Sequence, residues 1–400
     1  MTPGPGLLDP AATAASLPHP PARPPTAGWS ESLAYGAPGI ALLHIERART
    51  GAGRWETAHA WVAAATRTSV TANLSSGLYS GAPAVAFALH ATGRPEYTPA
   101  LSTLDTHITA LTRRRVEQAH ARMDRGELPA VREYDLISGL TGIGCYLLHR
   151  DSGGTAVRDV LGYLVRLTEP IQIDDETVPG WWTGHGPTDQ PSPEFRGGHG
   201  NLGMAHGISG PLALLAQAMK RGVVVPGHAE AINRICAWTD RWRHSSRTRV
   251  WPPWITRDEL RAGRPAQRGP SRPSWCYGTP GLARAQQLAG QATGDLARQR
   301  MAEAALLGCI TDQRQLSLLT DTSLCHGWAG LLHTTWRAAA DATTGELTAR
   351  LPDPPARLSE VARGREAGLL DGATGVALAL GIAGPNTPPV SQWDACLLTN

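Results

Sequence analysis

Seven short apolar runs along the chain each begin with a similar arrangement of glycines. Six read Gly-x-x-Gly followed by apolar, helix-forming residues, and the seventh has Ala84 in place of the second glycine. The stretches between the runs are rich in Ala, Leu and Arg, which is typical of helices. Spacings of 45 to 71 residues between the first glycines predict seven helical hairpins with room for insertions. The first glycines are Gly36, Gly81, Gly139, Gly207, Gly278, Gly327 and Gly372.

The spacing of the glycines favours a closed arrangement of helices. Glycines three residues apart lie on one face of a helix, and because they lack a β-carbon they let neighbouring backbones approach closely. An open solenoid is the alternative, but its end repeats are expected to be polar. The last repeat, LLDGATGVALALGIAG, is as apolar as the middle ones. We therefore predict an all-α protein that closes into an α/α toroid.

Composition and charge restrict the class of protein. A formal net charge of +3 without a basic stripe or tail predicts no nucleic-acid partner. No apolar run reaches the roughly 18 residues of a membrane span, and the N-terminus does not resemble a signal peptide. Six thinly spread cysteines are expected to be reduced, as in a cytoplasmic protein. Residues 1–27, rich in Pro and Ala, are predicted to be a disordered tail, and residues 28–400 a single domain.

Two repeats carry a cysteine two residues before the first glycine. Cys276 precedes Tyr277, and Cys325 precedes His326. On a turn ahead of a helix an adjacent Cys and His can face one ion, whereas in a regular helix neighbours diverge by about 100°. Cys276, Cys325 and His326 therefore predict a Cys₂His zinc set with a fourth position for water or substrate. The alternative is that they are core and capping residues. Core positions are expected for the other cysteines, Cys145, Cys236, Cys309 and Cys396.

At these motifs the sequence resembles a known family. RPSWCYGTPG, LCHGWAG, GWW at Gly180 and NLGMAHGISG at Asn201 are similar to the lanthionine synthetase C-like proteins, zinc-dependent cyclases of lanthipeptide biosynthesis. The resemblance extends from Trp29 to Asn400 and implies a toroid of seven inner and seven outer helices. It implies that Cys276, Cys325 and His326 bind zinc. The further active-site residues that it implies are Asp135, His206, Arg272, Trp275 and Tyr277.

The implied reaction adds a cysteine thiol of a dehydrated precursor peptide, made of leader and core, to dehydroalanine or dehydrobutyrine. Zinc lets a thiol ionise near neutral pH, and two protein thiolates keep the site rich in electrons. Because attack builds an enolate, Arg272 is the candidate cation and His206 the candidate acid. We expect Asp135 to orient His206, Tyr277 to donate to the enolate or position the peptide, and Trp275 to wall the pocket. A separate dehydratase would prepare the peptide.

Structural roles are the alternatives for several of these residues. His206 could pack, Asp135 could cap the following helix, and Arg272 could be solvated. His185 and His199 lie in a glycine-rich stretch without a cysteine, and we expect a flexible loop near the mouth rather than a metal site. Four tryptophans in the long loops 171–201 and 245–271 either grip an extended peptide or fill gaps between helices. These are Trp181, Trp182, Trp251 and Trp254.

Two other functions are compatible with the same motifs. One is an enzyme that adds glutathione or another free thiol to dehydrated residues, and its reaction would depend on added thiol. The other is a non-catalytic, zinc-bearing scaffold that binds peptide, which would leave the thiols of a dehydrated peptide intact.

The second repeat departs from the family pattern at Ala84, where a glycine is expected. This departure bears on local packing and not on the chemistry.

Overall fold

The computed structural model describes residues 10–243, 251–267, 271–352, 367–381 and 387–400. Within these ranges the chain is mainly helical, with four strands of three residues each. The helices are α1 (Pro10–Ser16), α2 (Ala37–Arg49), α3 (Trp55–Ala65), α4 (Ala82–Ala91), α5 (Thr98–Asp124), α6 (Val131–Tyr134), α7 (Leu140–Arg150), α8 (Thr155–Leu167), α9 (Ser209–Lys220), α10 (His228–Arg241), α11 (Arg257–Ala262), α12 (Thr279–Thr293), α13 (Leu296–Thr311), α14 (Gln313–Leu316), α15 (Trp328–Ala340) and α16 (Ala373–Leu380). The strands β1 (Ile171–Ile173) and β2 (Glu176–Val178) form one antiparallel pair, and β3 (His199–Asn201) and β4 (Trp254–Thr256) form another.

Seven helices form a closed inner ring. They are α2, α4, α7, α9, α12, α15 and α16, and each begins one or two residues after the first glycine of a repeat. In chain order each of them contacts the next, and α16 contacts α2. This closure confirms the predicted α/α toroid and excludes an open solenoid.

The outer layer packs against this ring. Helices α3, α5, α8, α10 and α13 each contact the inner helix that precedes them. Residues 353–366, between α15 and α16, lie outside the described residues. Among the described helices none is long and apolar enough to cross a membrane.

Helix α1 lies within the segment for which the sequence predicts a disordered tail. It contacts α16, and its Thr13 and Ala14 side chains are buried. The indole of Trp61 also donates a hydrogen bond to the carbonyl of Leu17 (3.2 Å). Residues 10–27 therefore include packed chain, and the boundary of the domain at residue 28 stays a prediction.

The second glycine of each repeat meets a carbonyl group in its own turn. A β-carbon built there would lie 1.9–2.7 Å from the carbonyl oxygen six residues earlier, and 2.8–3.5 Å from a β-carbon of the neighbouring repeat. No side chain fits at such distances, so the turn requires glycine. Six glycines share this environment, Gly39, Gly142, Gly210, Gly281, Gly330 and Gly375. In the repeat with Ala84 the turn differs, because Gly81 has φ +74° whereas the first glycines before α2, α7, α12, α15 and α16 have φ between −91° and −115°.

Backbone hydrogen bonds join the turns to one another at one end of the ring, which we call the mouth. In each of these hydrogen bonds the acceptor is the carbonyl of the residue two positions before the first glycine of a repeat. The donors lie two or three residues before the first glycine of the adjoining repeat, so corresponding parts of the turns lie side by side. The N–H to oxygen links run from Leu33 to Tyr79 (3.1 Å), Leu136 to Ala205 (3.1 Å), Met204 to Cys276 (2.8 Å), Cys276 to Cys325 (3.2 Å), Cys325 to Leu370 (2.9 Å) and Leu370 to Ala34 (3.0 Å).

The segment from Trp393 to Asn400 lies inside the ring. Its carbonyl groups accept hydrogen bonds from five side chains of four different repeats, and Trp393–Leu398 are fully buried. A segment can reach so many repeats only from the centre. The donors are Tyr79, Cys145, Gln217, Trp275 and Arg284, which belong to repeats two to five, and Asp394 accepts from His333 and Arg337 of the sixth.

A matched pair of glycine substitutions tests the role of the turns. In Gly142→Ala the new β-carbon would lie 2.1 Å from the carbonyl oxygen of Leu136. We expect the free energy of unfolding to fall by about 1–3 kcal/mol, the usual cost of overpacking. In Gly162→Ala, on α8, no atom lies within 4 Å of the new β-carbon. Urea denaturation should show this control unchanged or stabilised by up to about 1 kcal/mol. Equal destabilisation of the two variants would contradict the role of the turns.

Candidate metal centre and active site

Two thiols and an imidazole converge at the mouth. One ligand atom each from Cys276, Cys325 and His326 lies within 4.8 Å of the others. The backbone N–H of Cys276 donates to the carbonyl of Cys325, which brings the two turns together. Sulfur and nitrogen donors at this spacing fit a zinc ion, with room for one further ligand. The structure therefore brings together the three residues that the sequence predicts as a zinc set.

The two thiols shift each other's pKa in opposite directions. The pKa of Cys276 is lowered to about 7, chiefly because the Cys325 thiol donates to its sulfur, and this effect outweighs burial. The Ser274 hydroxyl, 3.6 Å from the sulfur, and the positive charge of Arg272 act in the same direction. The pKa of Cys325 is raised well above its usual value, first by that same hydrogen bond and then by burial. A dication between the sulfurs would relieve this competition.

Two carboxylates flank the His326 imidazole. Asp321 lies 3.4 Å from Nε2, and Asp371 lies 3.4 Å from Nδ1. Because a ligating histidine commonly donates its second N–H to a carboxylate, either partner could orient the ring for metal binding. Sequence reasoning missed both roles. Asp371 occupies the position of His326 in its own repeat, which is the signal that could have identified it.

His206 is paired with a buried carboxylate. Its Nδ1 donates to Oδ2 of Asp135 (2.6 Å), and 39% of its side chain is exposed. Burial opposes protonation of the ring, but the hydrogen bond and charge of Asp135 outweigh it, so the pKa of His206 is raised. Oδ1 of Asp135 accepts from the N–H of Ser138 (2.8 Å) in the turn before α7. Asp135 therefore stabilises this turn and also orients His206.

Tyr277 lies between the His206 pair and a loop. Its ring stacks on His206, with centroids 6.2 Å apart, and meets the edge of Trp254 at 6.1 Å. Asn201 donates to its hydroxyl (3.1 Å), and burial raises the pKa of Tyr277 above its usual value. Arg272 is exposed beside the cysteines, and its charge favours the thiolate of each.

Trp275 does not line the mouth. Its side chain is completely buried, and its indole N–H donates to the carbonyl of Leu397 (3.0 Å) inside the ring. The resemblance implies an active-site role for Trp275, with its side chain walling the pocket, and this role stays a prediction; the structure packs the side chain beneath the turn that carries Cys276. The reason is the segment Trp393–Asn400, which has no local signature in the repeats.

The long loops are packed more firmly than expected. Trp181, Trp182 and Trp251 are fully buried and fill gaps, whereas Trp254 is partly exposed against Tyr277. His199 was expected in a flexible loop, but it lies in β3, pairs with β4 and is completely buried. That expectation was wrong because β4, from a distant loop, covers the glycine-rich stretch.

The remaining cysteines are core residues, as predicted. All four are buried, which raises the pKa of Cys145 and of Cys236 to about 12. Such thiols stay protonated at neutral pH and are poor metal ligands. In the described part of the chain the thiols suited to bind a metal are therefore those of Cys276 and Cys325.

Comparison with known proteins agrees with the fold and the site. Residues 28–398 match the sequence model of the family described as "lanthionine synthetase C-like protein". The chain is 26% identical over 266 residues to the nisin biosynthesis protein NisC of Lactococcus lactis subsp. lactis, a match that covers 65% of this chain and 61% of that protein. A solved structure titled "nisin cyclase" superimposes with a TM-score of 0.78 and 22% identity, covering 94% of this chain and 93% of that one.

The curated relative is matched over less than two thirds of its own length, and the solved structure supports the fold. The family match is broader, because it spans the whole ring of seven repeats and includes Cys276, Cys325 and His326. The chain belongs to the lanthionine synthetase C-like family.

Proposed function

We propose that the protein is a zinc-dependent lanthipeptide cyclase. It adds cysteine thiols of a dehydrated precursor peptide to dehydroalanine or dehydrobutyrine in the same peptide, which forms lanthionine or methyllanthionine rings. The observation that carries the proposal is the convergence of two thiols and an imidazole within 4.8 Å, beside a histidine–carboxylate pair on the next turn. The names of NisC and of the nisin cyclase structure support it.

The reaction is a balanced addition. The S–H of the peptide cysteine adds across the carbon–carbon double bond, so that sulfur bonds to the β-carbon and a proton reaches the α-carbon. Cys276, Cys325 and His326 would hold zinc, which when bound lets the incoming thiol ionise near neutral pH. Two thiolate ligands offset the charge of the ion, so a third sulfur keeps its nucleophilicity.

His206 handles the protons. Because Nδ1 is engaged by Asp135, Nε2 is the nitrogen that can exchange a proton with the peptide. The exposed part of the ring lets substrate reach it. A raised pKa keeps a larger share of His206 protonated near pH 7, which suits an acid that protonates the enolate at its α-carbon.

Arg272 and Tyr277 would stabilise the enolate oxygen. Arg272 keeps its charge at any physiological pH and already acts on the thiols from an exposed position. Tyr277 is placed by its contact with the His206 ring. We further propose that the substrate peptide is supplied by a separate dehydratase, and that both proteins act in the cytoplasm.

Removing a thiol ligand tests the metal centre. We expect purified Cys325→Ala to lose the stoichiometric zinc that wild type binds, because one of three protein donors is gone. Cys236→Ala is the matched control, because Cys236 is buried and belongs to no group of metal-ligating side chains in the described part of the chain. Zinc is measured by mass spectrometry of the dialysed proteins. Full zinc in Cys325→Ala, or none in wild type, would refute the assignment.

Replacing the acid tests the chemistry. In His206→Asn the rate of ring formation should fall about 10²–10⁴-fold, the usual worth of general acid–base catalysis, while zinc content stays at the wild-type level. His107→Asn, on the exposed face of α5, is the control. The assay counts the free thiols of a dehydrated peptide by alkylation and mass. Thiol loss only with added glutathione would indicate the thiol-adding alternative, and intact thiols with tight binding would indicate a scaffold.

A pH profile tests the His206–Asp135 pair. The carboxylate raises the pKa of His206, so Asp135→Asn should lower it. On the alkaline limb of the pH–rate profile the rate falls because protonated His206 is lost. This limb should therefore move to lower pH in Asp135→Asn. The rate of ring formation against pH measures this shift at constant zinc content. An unchanged limb would show that His206 is not the group that titrates.

A further inference from the structure

A chain of hydrogen bonds runs inward from the Tyr277 hydroxyl through two residues that the mechanism above does not use. Nδ2 of Asn201 lies 3.1 Å from the Tyr277 oxygen and 3.5 Å from Nε2 of His199. Nδ1 of His199 lies 2.8 Å from the carbonyl oxygen of His185. Asn201 and His199 are completely buried on β3. Buried polar groups of this kind require defined partners.

The hydrogen bond at the inner end of this network can have only one direction. The His185 carbonyl can only accept, so Nδ1 of His199 must carry the proton. Burial lowers the pKa of His199 to about 4, which leaves the ring neutral and Nε2 an acceptor. Thr183, 3.2 Å from Nδ1, uses its hydroxyl to donate to the same carbonyl (3.3 Å). His199 therefore requires a donor at Nε2.

Asn201 supplies that donor and is itself held in one orientation. Its Oδ1 accepts from the N–H of Gly203 (3.0 Å), so the amide cannot be reversed. The two N–H bonds of Nδ2 then face His199 and the Tyr277 oxygen. Because Asn201 donates to that oxygen, the hydroxyl proton of Tyr277 must point elsewhere.

We propose that Asn201, held by His199, is a positioning residue that turns the hydroxyl proton of Tyr277 toward the reacting peptide. The ring of Tyr277 is already confined by His206 and Trp254. Gly203 completes the fit, because a β-carbon there would lie 2.8 Å from two ring atoms of Tyr277. A donor fixed in advance stabilises developing charge without reorganisation. This inference rests on the proposed cyclase function.

Asn201→Asp reverses the outer hydrogen bond with little change in shape. One carboxylate oxygen still accepts from Gly203. The other accepts from Tyr277, which turns the proton inward, and from Nε2 of His199, which takes up a proton because its former donor is gone. We expect kcat for ring formation to fall about 10²–10³-fold, as for loss of one oxyanion donor. The kcat of Tyr277→Phe should fall by the same factor, because the same donor is lost. In the double variant the losses should not add, since both remove the same donor. Zinc content and KM should stay near wild type.

Asn73→Asp is the matched control. Asn73 is exposed, and its Oδ1 accepts from the N–H two residues ahead, as that of Asn201 does. This variant should keep wild-type kcat. The inference is overturned if Asn201→Asp or Tyr277→Phe retains wild-type kcat, or if the two losses add in full. Tyr277→Phe keeps the ring contacts of Tyr277. Its kcat therefore tests the role of the hydroxyl even if Asn201→Asp does not fold.

A spectroscopic measurement separates this inference from the proposed function. In labelled wild-type protein, the side-chain amide resonance of Asn201, assigned through its own β-carbon, should shift in Tyr277→Phe but not in Asn73→Asp. If the Asn201 resonance does not move in Tyr277→Phe, the proposed hydrogen bond from Asn201 to Tyr277 is overturned, whatever the rate of ring formation. A wild-type protein that forms no rings, with the shift present, would refute the cyclase function and leave the positioning of Tyr277 supported.

Discussion

The hydrogen bond from the N–H of Cys276 to the carbonyl of Cys325 determines the site. It belongs to a series of backbone links that join the turns of the ring at one register, so residues far apart in sequence become lateral neighbours. Close approach of the turns is possible because the second glycine of six repeats leaves room for a carbonyl group of its own turn and for a β-carbon of the neighbouring repeat. The ring thus converts a sequence repeat into a cluster of functional side chains, two sulfurs and an imidazole among them.

The parallel inner helices add an electrostatic consequence. All seven begin at the mouth, so the positive ends of their dipoles point toward the site. This field, together with the charges of Arg272 and protonated His206, favours the anionic species of the proposed thiol addition, a thiolate before attack and an enolate after it. The lowered pKa of Cys276 has the same origin in part, although the hydrogen bond from Cys325 is its main cause.

Much of this arrangement could be predicted from the repeat, because the glycines and the residues just before them recur locally. The closed ring, the ligand trio and the buried positions of Cys145, Cys236, Cys309 and Cys396 all follow from that register. Asn201 and His199 could not be identified in the same way, since their roles depend on the pairing of β3 with a strand more than 50 residues away in sequence. The hydrogen bond from Trp275 to Leu397 could not be predicted for a similar reason, as no periodic signal places Trp393–Asn400 inside the ring.

That inner segment also limits where chemistry can occur. Asp394 is completely buried at its start, and burial would raise its pKa, but hydrogen bonds from His333 (2.9 Å) and Arg337 (2.6 Å) hold the pKa far below its usual range. A buried carboxylate with two such donors is costly to separate from them. The segment is therefore a fixed part of the core, and the centre of the ring is filled by protein. In the proposed reaction the substrate peptide would therefore approach from the mouth, where it would meet the Cys276–Cys325 pair, His206 and Tyr277, and only groups that face the mouth would take part.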